Sequence, residues 1–345
     1  MRIAVVHGWV PFVYGGAEHL VNGLTAKLVE RGHEATLIRL PFRWQPPAKV
    51  VEHMLACRLV RLENVDRVIG VKFPAYYVPH PNKVLWLCHQ FRQAYDFWGT
   101  PLQDLPRTAE GQEIRRTIVE SDGRFLPEHR KIYTISPVVS ERLKRFNGID
   151  SEVLYHPLLE PAGLRCDGYG DYVFFPSRIN SCKRQFLAAE AMKYVKTPVR
   201  LVLAGAPETD RELEKLRAII SKNGTEDRIQ LIPRFISEKE KQDLLAGALA
   251  CAYLPYDEDS YGYVTLEAYH CRKPVITSAD SGGTLILVRD GETGLVSQPT
   301  PQGVAEAMDR LYRDRRLAQR LGDRGHELMV SLKINWDNVV EKLTT

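Results

Sequence analysis

Strand-length apolar runs alternate with amphipathic helical segments along this 345-residue chain, and that alternation is what most restricts its fold. A chain written this way builds parallel sheets with helices on their faces. "RIAVVHG" reads as a buried first strand. "GGAEHLVNGLTAKLVERG" follows, with Leu20, Leu24, Ala26, Leu28 and Val29 at helical spacing and Gly32 as a stop. "HEATLIRL", "DRVIGV", "KVLWLCH", "KIYTIS" and "SEVLYH" continue the strand series, and the helix "PVVSERLKRFNG" opens on a proline. The rhythm breaks at residues 157–171, "PLLEPAGLRCDGYGD", where Pro and Gly concentrate and no period survives; a domain linker is expected there. A second series starts at "YVFFPSR", runs through "VRLVLAG", "RIQLIPR", "LACAYLP" and "KPVITSA", and ends in helices, the last being "INWDNVVEKL". The reading is two Rossmann-like α/β domains in tandem, residues 1–158 and 159–332, with a cleft where their strand ends face.

Bulk properties narrow the class. The length exceeds what one core of ordinary size holds, and 44% hydrophobic with 26% charged residues is globular composition. No apolar run approaches the ~18 residues that span a bilayer. "MRIAVVHGW" lacks the pattern of a signal peptide, so a cytoplasmic protein is expected. The six cysteines form no C-x-x-C pair and are expected to be reduced and packed. The ten histidines form no H-x-H or H-x-x-x-H pattern, so no structural metal site is expected. Net charge is +4, with the positive excess in the N-terminal half. That half suits an anionic acceptor or weak peripheral contact with the inner membrane face, although a solvated basic surface is the plainer reading. No Lys/Arg block is interleaved with aromatics, which argues against a nucleic-acid partner.

Three stretches are suited to chemistry. Gly15 and Gly16 sit between the first strand and its helix, where backbone N–H groups at a helix start can face an anion; a Gly pair is as often merely a turn. In "FPSRINSCKRQFLAAEAM" a strand ends at Pro176, and Arg178 and Lys183 follow in the loop before a helix expected from Arg184. Two cations there suit a diphosphate, Arg as a planar fork and Lys as a point charge, or else form a solvated basic loop. The third stretch is "DEDSYGYVTLEAYHCRKPVITSADSGG". Asp257-Glu258-Asp259 has the D-x-D form that holds a divalent metal, yet Asp259 also stands eight positions before Glu267, across the turn at Tyr261-Gly262. Carboxylates at a helix entrance and within the helix suit sugar hydroxyls. Backbone N–H groups at 262–264 and at Gly282-Gly283 suit phosphate.

Taken in order, "YGGAEHL", "SRINSCKR", "DSYGYVTLEA", "RKPVITSADSGG" and "DGETGLV" resemble the retaining glycosyltransferases of family 4, over essentially the whole chain. The resemblance implies the GT-B architecture, with an acceptor-binding N-terminal domain, a nucleotide-sugar-binding C-terminal domain, and a last helix, 333–345, crossing back to the N-terminal domain. It reads "DSYGYVTLE" as the family's E-x7-E motif, with Asp259 and Glu267 as the two acids, in place of a metal-binding D-x-D. Glu267 would take the ribose hydroxyls. Asp259 would meet the transferred sugar together with the turn of Tyr261, Gly262, Tyr263 and Val264. Arg178 and Lys183 would neutralise the diphosphate, and Gly15 and Gly16 would close on it. His89 matches a histidine beside the reacting sugar, and Arg234 and Phe235 match the region that holds the base. By spacing alone, His89 reads as a packed or capping residue.

The implied reaction is metal-independent transfer of a hexose from a nucleotide-diphosphate sugar to a glycan, lipid-linked or small-molecule acceptor, with no cofactor beyond the donor itself. Two residues depart from the family pattern. Asp259 is one methylene shorter than the usual Glu, and Ile286 stands where a Glu usually follows "GG" at this spacing. They keep alternatives open: a non-catalytic nucleotide-sugar-binding relative, a sugar-nucleotide epimerase, or a metal-dependent enzyme using Asp257 and Asp259. Tyr95, Phe97 and Trp98 are read either as a stacking surface for an acceptor or as core.

Overall fold

The computed structural model describes residues 1–13 and 15–345, in two compact units: Met1–Leu159 with Ile334–Thr345, and Glu160–Lys333. Residues 157–171 carry neither helix nor strand.

The first unit's strands are β1 (Arg2–Trp9), β2 (Glu34–Pro41), β3 (Arg67–Gly70), β4 (Lys83–Leu87), β5 (Lys131–Thr134) and β6 (Glu152–Val153). Its helices are α1 (Gly16–Glu30), α2 (Lys49–Leu59), α3 (Ala109–Phe125) and α4 (Pro137–Asn147). The sheet is parallel throughout, in the order β2-β1-β3-β4-β5-β6. Its inner strands are buried on both faces, which is why they read as continuous apolar runs and not as alternation. Edge strand β2 alternates between exposed and half-buried positions. Helix boundaries follow local chemistry. Ser136 caps α4 by accepting from Val139 N, Pro137 occupies its first turn, and Gly148 stops it in the left-handed region at φ 70°.

The second unit comprises β7 (Tyr172–Pro176), β8 (Arg200–Ala204), β9 (Ile229–Ile232), β10 (Ala250–Ala252), β11 (Val275–Ser278) and β12 (Gly294–Ser297). Its helices are α5 (Gln185–Ala191), α6 (Asp210–Asn223), α7 (Glu238–Gly247), α8 (Gly262–His270), α9 (Pro301–Arg313) and α10 (Arg315–Ser331). The order is β12-β11-β10-β7-β8-β9, again all parallel. The final helix, α11 (Trp336–Thr344), packs within the first unit: Trp336 is buried against Trp86 and donates its indole N–H to Leu158 O at 2.7 Å.

Two local expectations change. Helix α5 begins at Gln185 because Arg184 is held left-handed at φ 59° and cannot be its first residue. Of the six cysteines, Cys166 and Cys182 are exposed and only the other four are packed.

Candidate functional site

Strand order decides where ligands can sit. In the second unit the chain runs outward from β7 through β8 and β9, then returns to place β10 on the opposite side of β7. Parallel sheets bind ligands outside the carboxyl ends of their strands, where the winding reverses. Here that point lies between β7 and β10, so the loop carrying Arg178 and Lys183 stands beside the loop carrying residues 257–261.

Lys183 reaches across this point. Its ammonium donates to the Tyr253 hydroxyl at 3.0 Å and to Oε2 of Glu258, while the Tyr253 hydroxyl donates to the same Glu258 oxygen at 3.1 Å. Burial alone would lower the Lys183 pKa; Tyr253 and Glu258 outweigh it and hold the pKa raised, so the side chain stays cationic. Arg178, by contrast, is solvent-exposed.

Arg184 ties the neighbouring strand ends together. It donates to Leu254 O (2.6 Å) and Pro255 O (2.7 Å) beyond β10, and to Ser278 Oγ (2.7 Å) and both Asp280 oxygens (2.8 Å each) at the end of β11. The 257–260 loop then runs beside 280–283. Asp257 N donates to Asp280 O at 2.9 Å and Gly283 N to Glu258 O at 2.7 Å. The Gly283 N–H, expected to face phosphate, is therefore already committed, because the two loops pair as a short extension of the sheet. A Cβ on Gly283 would lie 2.6 Å from the Ser260 Cα, so only glycine allows that approach.

Asp259 is half-buried at the entrance to α8. Tyr261 is fully buried just before the helix, and Gly262, Tyr263 and Val264 form its half-buried first turn. Gly262 has φ 73°, and a Cβ there would meet the Tyr253 ring at 2.5 Å, so the turn is built around glycine. Glu267 is buried in the body of α8, and its Oε1 accepts from the Lys241 ammonium at 2.6 Å. Burial raises the Glu267 pKa and Lys241 opposes the rise. Arg234 and Phe235 occupy the loop between β9 and α7; Arg234 forks onto Glu240 at 2.7 and 3.0 Å, and Phe235 is 80% exposed. Ile286 ends the short turn Gly283–Ile286 and is half-buried. Among the described residues, no group of three His, Cys, Asp or Glu side chains is gathered where it could hold a metal ion.

In the first unit the winding reverses between β1 and β3. Gly15 precedes α1 in extended backbone, and a Cβ there would meet nothing within 4 Å; Gly16 is the helix's first residue. Tyr14 of "YGGAEHL" lies outside the described residues. His89 follows β4. Its Nδ1 lies 2.6 Å from Gln90 O; a carbonyl only accepts, so Nδ1 carries the hydrogen and Nε2 keeps its lone pair. Burial, reinforced by Lys72, pushes the His89 pKa down to about 3, and the ring stays neutral at physiological pH.

The nearby aromatics separate into distinct roles. Tyr95 is core, donating to buried Asp122 at 2.6 Å, whereas Phe97 and Trp98 lie beneath the guanidinium groups of Arg92 and Arg115. Sequence reasoning did not single out Arg184, Tyr253, Glu258, Lys241 or Asp280. The position of Arg184 next to Lys183, and of Asp280 two residues before the glycine pair, was the available signal.

Two doubly wound parallel sheets of this order define the GT-B glycosyltransferase architecture, and solved structures share it. The Anabaena protein Alr3699/HepE, solved with UDP and glucose, superposes with a TM-score of 0.75 at 16% identity, covering 100% of this chain and 98% of that one. Sucrose-phosphate synthase from Thermosynechococcus elongatus gives 0.74 at 18% identity, covering 99% and 97%.

Sequence comparison carries the assignment further. The family model described as glycosyl transferases group 1 matches residues 164–328. A D-inositol 3-phosphate glycosyltransferase of Acidothermus cellulolyticus is 30% identical over 94% of this chain and 76% of its own length. The alpha-1,3/1,6-mannosyltransferase ALG2 of Dictyostelium discoideum is 30% identical over a shorter stretch, 44% of this chain and 36% of that protein. The chain belongs to the group 1 glycosyltransferases, enzymes that transfer a sugar from a nucleotide-sugar donor. No helix among the described residues is long and apolar enough to cross a membrane.

Proposed function

We propose that this protein is a retaining, family 4 hexosyltransferase that uses a nucleotide-diphosphate sugar without a metal ion. The observation that carries the reading is the β7/β10 switch point, where a raised-pKa lysine, Lys183, stands at one strand end and a buried carboxylate, Glu267, lies within the helix that follows the other. In this reading Lys183 and Arg178 take the diphosphate, Glu267 the ribose, and Asp259 with the 261–264 turn the hexose. A mannosyltransferase among the relatives supports a hexose, and D-inositol 3-phosphate in another relative's name supports a small polar acceptor as one acceptor class. The C1–O bond to the diphosphate breaks as the acceptor oxygen bonds to C1 on the same face. The acceptor's proton passes to the departing phosphate. Fixed cations, oriented before the reaction, stabilise the charge that develops on that phosphate. His89, neutral and with Nε2 available, accepts a hydrogen bond from a sugar hydroxyl.

The test uses GDP-, UDP-, dTDP- and ADP-sugars with EDTA present, following thermal stabilisation and donor hydrolysis together. A ligand at ~100 times its dissociation constant adds about 2.7 kcal/mol of stability. Stabilisation with slow hydrolysis by one nucleotide class, and an α-linked product from an α-linked donor, is the expected result. Activity that requires Mg²⁺ or Mn²⁺ overturns metal independence, and inversion at C1 overturns retention. A second reading, a donor-binding protein without turnover, is favoured by Ile286, which supplies no carboxylate where the family usually has one. It predicts stabilisation with no hydrolysis and no transfer.

A further inference from the structure

Glu267 is 9% exposed and sits in mid-helix, where an ionised carboxylate is costly without a partner. Its partner comes from another helix. Ser237 caps α7 by accepting from Glu240 N at 3.1 Å, which fixes the first turn and places Lys241 one turn before the buried Leu245. From there the Lys241 ammonium reaches Glu267 Oε1 at 2.6 Å and Glu238 Oε2 at 2.9 Å. Its side chain is only 18% exposed, so the contact is shielded and not a loose surface pair.

We propose that Lys241 is a positioning residue for the donor's ribose, fixing Glu267 as a carboxylate with one oxygen held and the other presented to the sugar diol. The inference rests on Glu267 being the ribose contact of the proposed function. A carboxylate accepts from both hydroxyls of a diol, whereas a protonated carboxyl must donate from one oxygen and matches the diol poorly. Lys241 decides between these states because it is the cation on Glu267. The other ionisable groups facing Glu267 are Glu238 on α7, Cys251 on β10 and Cys271 just after α8. Glu238 raises the Glu267 pKa, as burial does, and Lys241 opposes both. The two cysteines are themselves pushed up by burial and remain neutral thiols.

The experiment measures dissociation constants for UDP, GDP and ADP, each against its 2′-deoxyribose form, across pH 5–8. Wild type is expected to prefer the ribose form of one nucleotide. Lys241→Met should weaken that form roughly tenfold, the worth of one charge-assisted hydrogen bond. The 2′-deoxy form, which keeps only the 3′-hydroxyl, should weaken much less, so the preference narrows. Ribonucleotide affinity of Lys241→Met should also fall off at a higher pH on the acid side than that of wild type. Lys241→Arg should restore both properties, and Lys241→Met combined with Glu267→Ala should bind no more weakly than Glu267→Ala alone. Equal weakening of both nucleotide forms, or an unchanged preference and pH profile, overturns the inference while leaving the donor site intact. If wild type binds no nucleotide, or Glu267→Ala leaves the ribose preference untouched, the donor-site reading fails and this inference falls with it.

Discussion

The guanidinium of Arg184 meets the carboxylate of Asp280 as a two-point fork, Nη1 to Oδ2 and Nη2 to Oδ1, each at 2.8 Å. The fork joins the loop after β7 to the end of β11, and the remaining donors hold the carbonyls beyond β10. One side chain thus fixes three strand ends around the switch point. Replacing it strands several acceptors at once. Arg184→Ala should lower unfolding stability by about 2 kcal/mol, below what breaking a fully buried pair costs because Asp280 keeps some solvent. Arg184→Lys, which lacks the planar fork, should recover less than half of that in denaturant titration.

The same pair sets a pH dependence. Burial alone would raise the Asp280 pKa; Arg184 and Ser278 outweigh it and hold it below the usual carboxylate range. A carboxylate depressed in the folded state stabilises fully above its unfolded pKa, and that contribution fades as pH falls through the folded value. The stability difference between wild type and Asp280→Asn should therefore be constant from pH 5 to 8 and close below about pH 4. Chemical denaturation at several pH values reads this directly.

Asp122 shows the opposite sign. It is fully buried on α3 and accepts from Tyr76 (2.9 Å), Tyr77 (2.6 Å) and Tyr95 (2.6 Å), yet burial outweighs these bonds and pushes its pKa up to about 6. The folded state then holds a proton that the unfolded chain has released, so this group makes stability fall as pH rises from about 4 to about 6. Asp122→Asn should abolish that slope. It should also cost about 1–3 kcal/mol at pH 7, because an amide oxygen cannot accept from all three phenols. An unchanged slope would mean that Asp122 ionises as an ordinary surface acid.

The tandem α/β plan was legible because fully buried parallel strands write themselves as apolar runs, and because α4, α6 and α7 carry their caps in the sequence. Lys83 shows the limit: the sequence marks it as the start of β4, but not that it is buried there with its amine on Glu128 at 2.8 Å. At the switch point the sequence picks out Arg178, Lys183, Asp259 and Glu267, residues whose types declare their chemistry. It does not pick out their partners. Pairing Lys183 with Glu258 requires β10 to lie beside β7, and pairing Glu267 with Lys241 requires α7 to approach α8. Neither adjacency leaves a periodic trace. Arg184 is hidden for another reason: its residue type does not mark it as the left-handed residue that precedes α5.

Glu258 raises a question of competition. Its carboxylate holds the Lys183 ammonium, and a donor diphosphate arriving at the switch point would seek the same cation. Two anions on one ammonium repel, so binding should exchange one partner for the other, with Tyr253 retained at 3.0 Å as the neutral anchor. Glu258→Gln removes the competing charge and keeps the shape. It should tighten nucleoside diphosphate binding several-fold in calorimetry, with the gain shrinking as salt rises, because the Lys183 and Glu258 side chains are 20% and 29% exposed. The unliganded protein should become slightly less stable, since Lys183 loses its counter-charge. In a Lys183→Met background the substitution should do little beyond relieving general repulsion, which ties the gain to the ammonium itself. Weaker binding by Glu258→Gln would mean the opposite arrangement, in which the carboxylate aims Lys183 at the phosphates and stays in place when they bind.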